Sequence, residues 1–296
     1  MARILSIDWD YFVEEDPMLD MGHRESVLFL TTMWEVRQQL PGTSGFGDLV
    51  RALPFRGPEP EEFFADYLGH IKADGHMQYV CTAESHSALP KWANEHWPNE
   101  QLDIINVDAH HDILYGLLDP AQANDQAGFN CGNWAGHLMA GGRVRSYTQV
   151  YPAWRKKFPE GIPDELRLWV RKCGVKLKLQ DAPWTSCRRR IDGVFLARSG
   201  CWVPPVYDAK FDTLCKFFGG GLVMSREEVC RMQREWELDA LEPQYIVDLI
   251  RSELEIILDL DNKWERATKS EQAQRALLTA ASDQWAAIAE RLKKTL

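Results

Sequence analysis

No two cysteines in this chain stand at C-x-x-C spacing, although there are seven of them (Cys81, Cys131, Cys173, Cys187, Cys201, Cys215 and Cys230). An odd number without paired spacing argues against a zinc knuckle or a disulfide framework and for reduced thiols in a cytoplasmic protein. No apolar run approaches the roughly 18 residues needed to cross a bilayer, so no membrane association is expected. The N-terminal segment lacks the apolar stretch of a signal peptide and instead carries two carboxylates, Asp8 and Asp10, within its first ten residues. A basic surplus is missing too. The net charge is -10 at pH 7, whereas phosphate contacts need clustered Lys and Arg, so no nucleic-acid partner is expected. Internal repeats and low-complexity tracts are also absent.

What is present is a chain of 296 residues, 45% of them hydrophobic, long enough to bury one large core. Residues 3–7 read as a short buried strand running into Asp8-Trp9-Asp10. Further strands are expected at 77–82, 102–107 and 194–197. Helices are expected at 60–74, 86–96, 133–140 and 225–238, from apolar residues recurring three and four apart. Strands alternating with helices, each strand delivering polar residues at its C-terminal end, predict an α/β fold with a mostly parallel sheet flanked by helices. From about residue 243 the pattern turns wholly helical, which predicts a helical C-terminal layer on a single domain spanning 1–296.

The most informative segment is Asp108-Ala109-His110-His111-Asp112, which follows the apolar run ending at Val107. In extended backbone, residues two apart share a face, so Asp108, His110 and Asp112 are expected to project together. Carboxylates with an imidazole and no thiolate suit Mn²⁺ or a similar hard divalent ion. The alternative is a polar loop with a helix-capping aspartate. Asp8-Trp9-Asp10 offers a second carboxylate pair, and Asp259-Leu260-Asp261 competes with it, though at the end of a helical pattern. His86, in Glu84-Ser85-His86-Ser87, reads either as a ligand or as a packed histidine. His111 reads more simply as a packed or supporting histidine than as a ligand. Of the twelve tryptophans, Trp9, Trp134 and Trp202 sit beside these segments and are candidates to wall a cleft, against the ordinary alternative of core packing.

Together these motifs resemble the arginase, agmatinase and formiminoglutamase superfamily. Asp108 to Asp112 is similar to its D-A-H-x-D signature, Glu84 to Ser87 to its G-D-H-S segment, and Ser6-Ile7-Asp8-Trp9-Asp10 to its S-[FIL]-D-x-D segment. Gly132-Asn133 through His137 resembles its G-N-x-H-G loop. Together with Phe195-Leu196-Ala197-Arg198-Ser199, the set looks most like an arginase-like group that includes the peptide arginases of ribosomally synthesised peptide pathways.

The resemblance implies two Mn²⁺ ions, one held by His86, Asp108, Asp112 and Asp8, the other by Asp108, His110, Asp8 and Asp10. It implies hydrolysis of a guanidinium C–N bond by metal-activated water, with His137 carrying a proton to the leaving amine and Glu227 gripping the guanidinium. Glu84, Asn133 and Trp134 are the remaining substrate-contact candidates. The implied partner is an arginine-containing precursor peptide, and the oligomeric state, homo-oligomer included, stays open. A small-molecule ureohydrolase, another metal-dependent amide hydrolase or an inactive binding module are the alternatives. The D-x-D segment comes first in this chain, so its strand must reach the site by a rearranged topology. His137 is displaced by one residue from the family's spacing, and Gly220-Gly221-Leu222 precedes Arg226-Glu227 with one residue more than the family's pattern.

Overall fold

The computed structural model describes residues 1–14, 53–68, 79–114, 131–157, 162–181, 191–200 and 202–218. Glu227, the 225–238 helix, Asp259 and Asp261, the helical layer from 243 and most of segment 13–60 lie outside the described residues. No described helix is long and apolar enough to cross a membrane.

Six strands, β1 (Ala2–Asp8), β2 (Tyr79–Ala83), β3 (Leu102–Val107), β4 (Val144–Tyr151), β5 (Lys176–Asp181) and β6 (Gly193–Ala197), form one sheet. Its order is β2-β6-β1-β3-β4-β5, and every pairing is parallel. The expected α/β class is observed, and β1 takes a central place between β6 and β3. That position is how a carboxylate pair at the start of the chain reaches motifs that come later.

Burial on both faces explains the near-continuous apolar runs of β1, β3 and β6. Leu5, Ile7, Ile105, Val107, Val194 and Leu196 point into one core with Trp9, Phe12, Phe63 and Phe211. Ile4, Ile104, Phe195 and Ala197 point into the other, against Trp92, Trp134, Leu138 and Val170. Ile4, Leu5 and Ile7 are wholly buried, each contributing about 1.5–3 kcal/mol from burial. The first face is covered by α1 (Pro60–Phe63), its π-helical continuation Phe64–Leu68, and α5 (Asp208–Phe217). The second is covered by α2 (Leu89–His96), α3 (Trp134–Ala140) and α4 (Asp164–Lys172).

β4, β5, α4 and α5 had no counterpart in the sequence reading. β4 interrupts its apolar positions with Arg145, Ser146 and Gln149, and β5 alternates exposed Lys176 and Lys178 with half-buried Leu177 and Leu179. β5 ends the sheet, and its alternation of Lys and Leu is the period-2 pattern of a half-buried strand.

A candidate metal centre

Parallel pairing brings the C-terminal ends of β2, β6, β1 and β3 to one edge of the sheet, where α/β folds build their sites. The register sets the levels: Asp8 lies opposite Ala197, Ala197 opposite Ala83, and Ile7 opposite Val107. The residues that follow therefore emerge side by side.

They do not emerge as extended alternation. Asp8 ends β1, and the chain then tightens into a 3₁₀ turn over Trp9–Phe12, with the Asp10 N–H donating to Asp8 Oδ1 at 3.0 Å. After β3 the His110 N–H donates to Asp108 Oδ1 at 2.7 Å, and Asp112 adopts a left-handed backbone with φ 50°. Asx-type turns, not a shared strand face, converge the carboxylates, which corrects the expected mechanism of convergence while keeping the residues.

His86 Nδ1 lies 3.0 Å from Asp8 Oδ2, 3.2 Å from Asp108 Oδ2 and 3.2 Å from Asp112 Oδ2. None of these oxygens is aligned for a hydrogen bond to that nitrogen. His110 Nδ1 lies 2.9 Å from Asp10 Oδ2 and 3.8 Å from Asp108 Oδ1. Asp108 thus turns one oxygen to each imidazole. The sets Asp8, His86, Asp108 and Asp10, Asp108, His110 each hold their ligand-type atoms within 4.8 Å of one another, as groups suited to hold a metal ion. Ligands at right angles around an ion about 2.1–2.2 Å away stand roughly 3.0 Å apart, which is the spacing around His86.

The charge balance points the same way. None of Asp8, Asp10, Asp108 and Asp112 exceeds 5% exposure. Among the described residues their ion-pair partners are His86 and His110 alone. The one buried guanidinium among the described residues, that of Arg198, is engaged by Glu84 and Asp208. Buried carboxylates without cations cost several kcal/mol each, a cost that a bound divalent ion removes.

Supporting contacts fix the ligands. Ser6 Oγ sits 2.7 Å from His86 Nε2 and turns Nδ1 toward the carboxylates. Trp134 Nε1–H donates to Asp112 Oδ2 at 2.7 Å, and the Ala135 N–H donates to the Asp112 carbonyl at 3.0 Å. Asn106 Nδ2 donates to Asp108 Oδ2 at 2.9 Å and to Gln149 Oε1 at 3.1 Å, while Gln149 Nε2 donates to the Asp108 carbonyl at 2.8 Å. Tyr147 Oη–H donates to the His111 carbonyl at 2.9 Å. The seating of α3 requires Gly136, since a Cβ there would stand 1.7 Å from the Ile113 carbonyl oxygen.

Several candidates occupy places the sequence did not foresee. Trp134 is wholly buried and braces Asp112, and Trp9 is wholly buried in the core, so neither ring walls a cleft. Glu84 is buried in an ion pair with Arg198, 2.7 Å from Oε1 to Nη1. Asn133 is buried at the start of α3, its carbonyl accepting from the His137 N–H, and half-buried His137 follows one turn beyond Trp134. His111 Nδ1 accepts from the Ile113 N–H at 3.1 Å, a structural contact. Ser6, Asn106 and Gln149 were missed. Ser6 and Asn106 are signalled only as polar residues inside largely apolar strands, and Gln149, on the mixed strand β4, carries no such signal.

Burial raises Asp10, and the charges of Asp8 and Asp108 raise it further, placing it well above the usual carboxylate range. Burial, with Asp112 and Asp8, pushes Asp108 up to about 7. Burial alone would lower His86, but Asp8 and its neighbouring carboxylates hold it well above its ordinary value. Burial alone would raise Asp8, yet His86 and hydrogen bonds from Ser199 and the Asp10 N–H keep it low. In the metal-free protein, Asp10, Asp108 and His86 therefore hold protons more tightly folded than unfolded. Their stabilisation is complete at low pH and is lost as pH rises through about 7 and beyond. Metal-free protein is expected to melt lower at about pH 8 than at about pH 5.5, while divalent-ion affinity rises over the same range because binding displaces those protons. Thermal melts with and without Mn²⁺ across that range check both signs; metal-free stability that rises with pH would contradict this proton assignment.

No protein-family model matches this sequence, and searches of curated proteins and of solved structures likewise return no match.

Proposed function

We propose that this chain is a Mn²⁺-dependent hydrolase of the arginase type, converting arginine residues of a ribosomally made precursor peptide to ornithine with release of urea. The observation that carries the reading is Asp108, whose two oxygens address His86 on one side and His110 on the other. A carboxylate shared between two imidazole–carboxylate sets is what a binuclear centre requires. In this reading His86, Asp108, Asp112 and Asp8 hold one ion, and Asp108, His110, Asp8 and Asp10 the other. The ions supply Lewis acidity that lowers the pKa of water and stabilises the charge that develops on the guanidinium group.

The chain's own residues do the rest. Ser6 and Trp134 fix the orientation of His86 and Asp112, and Asn106 and Gln149 brace Asp108. His137, one turn into α3 beyond Trp134, is assigned the proton transfer to the departing amine, since imidazole titrates near neutrality. Water adds to the guanidinium carbon, the bond to the side-chain nitrogen breaks, and that nitrogen leaves as the protonated amine of ornithine beside urea. Support for the substrate comes from the motif resemblance, and the overall net charge of -10 suits a cationic partner.

The test is incubation of the Mn²⁺-loaded protein with arginine-containing peptides, free arginine and agmatine, scored for urea and by mass spectrometry of the peptide. Ornithine within the peptide, with the small guanidines much poorer substrates, is expected. Efficient hydrolysis of free arginine with intact peptides would remove the peptide substrate and leave a small-molecule ureohydrolase. Urea from none of them would remove the guanidinium chemistry.

A further inference from the structure

Of the two strands that end the sheet, β5 is the charged one. It pairs with β4 from Lys176 to Asp181, and among the described residues no strand lies on its other side. A strand so placed presents a row of N–H and C=O groups on which a further chain can pair. Its side chains alternate. Leu177 and Leu179 are half-buried on one face, packed with Trp169 and Cys173 against the second core, while Lys176 and Lys178 stand exposed on the other.

The positive charge is local. The stretch from Arg171 to Lys178 holds four cations and no acid, in a chain whose net charge is -10. Arg171 and Lys172 close α4, and Lys176 opens β5. All four are exposed, and among the described residues no carboxylate forms an ion pair with any of them. Two copies joined edge to edge would bring like charges together, so this edge disfavours a second copy and suits a strand that carries acids. The pleat sets the pattern of such a strand. Alternate side chains would lie beside Leu177 and Leu179, and the others beside Lys176 and Lys178, so apolar and acidic residues must alternate. Because every pairing is parallel, β5 ends at the same edge of the sheet as β1 and β3, where the candidate metal ligands stand. At about 4.8 Å per strand, an added strand lies about 14 Å from β3, a gap that about five extended residues span.

We propose that the outer edge of β5 docks an extended segment of the peptide substrate in which acidic and apolar residues alternate, with the reacting arginine about five residues away along the peptide. The inference rests on the peptide-hydrolase reading and adds the character of the substrate away from its arginine. Main-chain hydrogen bonds to β5 supply affinity, and Lys176 and Lys178 select the charge.

The experiment reads binding apart from turnover. A labelled peptide of five Val-Glu repeats, without arginine, is titrated by fluorescence anisotropy against Mn²⁺-loaded wild type and K176E/K178E. The comparison probes are the same peptide with Lys for Glu, the same peptide with every backbone N–H methylated, and single-stranded DNA of equal charge. Wild type is expected to bind the acidic peptide, and K176E/K178E to bind it about 5- to 30-fold more weakly. The methylated peptide, which keeps its acids but cannot donate to a strand, should lose at least about tenfold on wild type. That comparison carries the test alone if the double variant does not fold. Urea release is then followed for the Val-Glu peptide joined to one arginine by a five-residue Gly-Ser spacer. Its KM should lie below that of the spacer and arginine alone, and K176E/K178E should erase most of the difference. No binding, binding that survives either the charge reversal or the methylation, DNA that binds as tightly, or a wild-type dimer that the reversal splits would each overturn the docking edge. Urea release indifferent to the Val-Glu segment would also overturn it while the hydrolase reading stands. Charge- and N–H-dependent peptide binding without urea from any substrate supports the edge and overturns that reading.

Discussion

Asp108→Ala is expected to empty both halves of the centre at once. The side chain has no exposed surface, lies 3.2 Å from His86 Nδ1 through one oxygen, and faces His110 Nδ1 at 3.8 Å through the other. Removing it leaves each imidazole with fewer anionic neighbours and leaves no group spanning the two. Outer partners of metal ligands typically account for 10- to 100-fold in affinity, so a shared ligand should cost more than about 100-fold for each ion. Turnover should fall to background. Asp112→Ala offers the contrast: its Oδ2 stands 3.2 Å from His86 Nδ1, and it belongs to that set alone. That variant should weaken one ion and spare the other. Metal content after gel filtration, followed by Mn²⁺ titration, reads both variants. Wild-type content in Asp108→Ala would remove this residue from any metal site.

The second large effect lies in the buried ion pair between the ends of β2 and β6. Arg198→Met is expected to destabilise the fold by about 3–5 kcal/mol, the usual result of stranding a buried charge. Arg198 Nη1 donates to Glu84 Oε1 at 2.7 Å, and its Nε and Nη2 both reach Asp208 Oδ1, with Nε at 3.0 Å. Glu84 retains only 3% exposure, whereas the Asp208 side chain keeps 30%. The stranded partner that matters is therefore Glu84. It is nearly fully buried, and a Cβ at Gly200 would already stand 1.9 Å from its Oε1. Pairing Arg198→Met with Glu84→Gln should recover most of the loss, because the double variant buries no lone charge. Urea denaturation of the four proteins gives the coupling directly. A single-variant loss below about 1 kcal/mol would mean that solvent reaches Glu84 after all. The ion pair joins the ends of β2 and β6 to the start of α5, so it holds the loop carrying His86 in register with the turn carrying Ser199.

How much of this was legible in the sequence depends on whether the signal was local. Ile4, Leu5 and Ile7, and Leu102 to Val107, form short apolar runs, and a strand buried on both faces leaves that trace. Asp108, His110 and Asp112 were legible because three ligand-type side chains follow such a run. Their means of convergence was not legible, since an Asx turn depends on which backbone N–H a carboxylate finds. The role of Trp134 was hidden for a related reason. An indole that braces Asp112 and an indole that walls a cleft are the same letter, and only burial separates them. Ser6, Asn106 and Gln149 act through partners on or just beyond other strands, and no spacing rule within one segment reports a contact set by strand order.

Strand order also dictates when the centre can exist during synthesis. β1 leaves the ribosome first, yet its two neighbours are β3 and β6, with Ala2 paired to Leu102 and Ile4 to Gly193. Until β3 emerges β1 has open hydrogen-bonding edges on both sides, and until β6 emerges one of them stays open. Contacts so distant along the chain fold slowly and leave aggregation-prone edges exposed meanwhile. The nascent protein therefore has its greatest need of chaperone cover between the appearance of β1 and that of β6, and the two candidate ligand sets take up their final places only when the sheet has closed around β1.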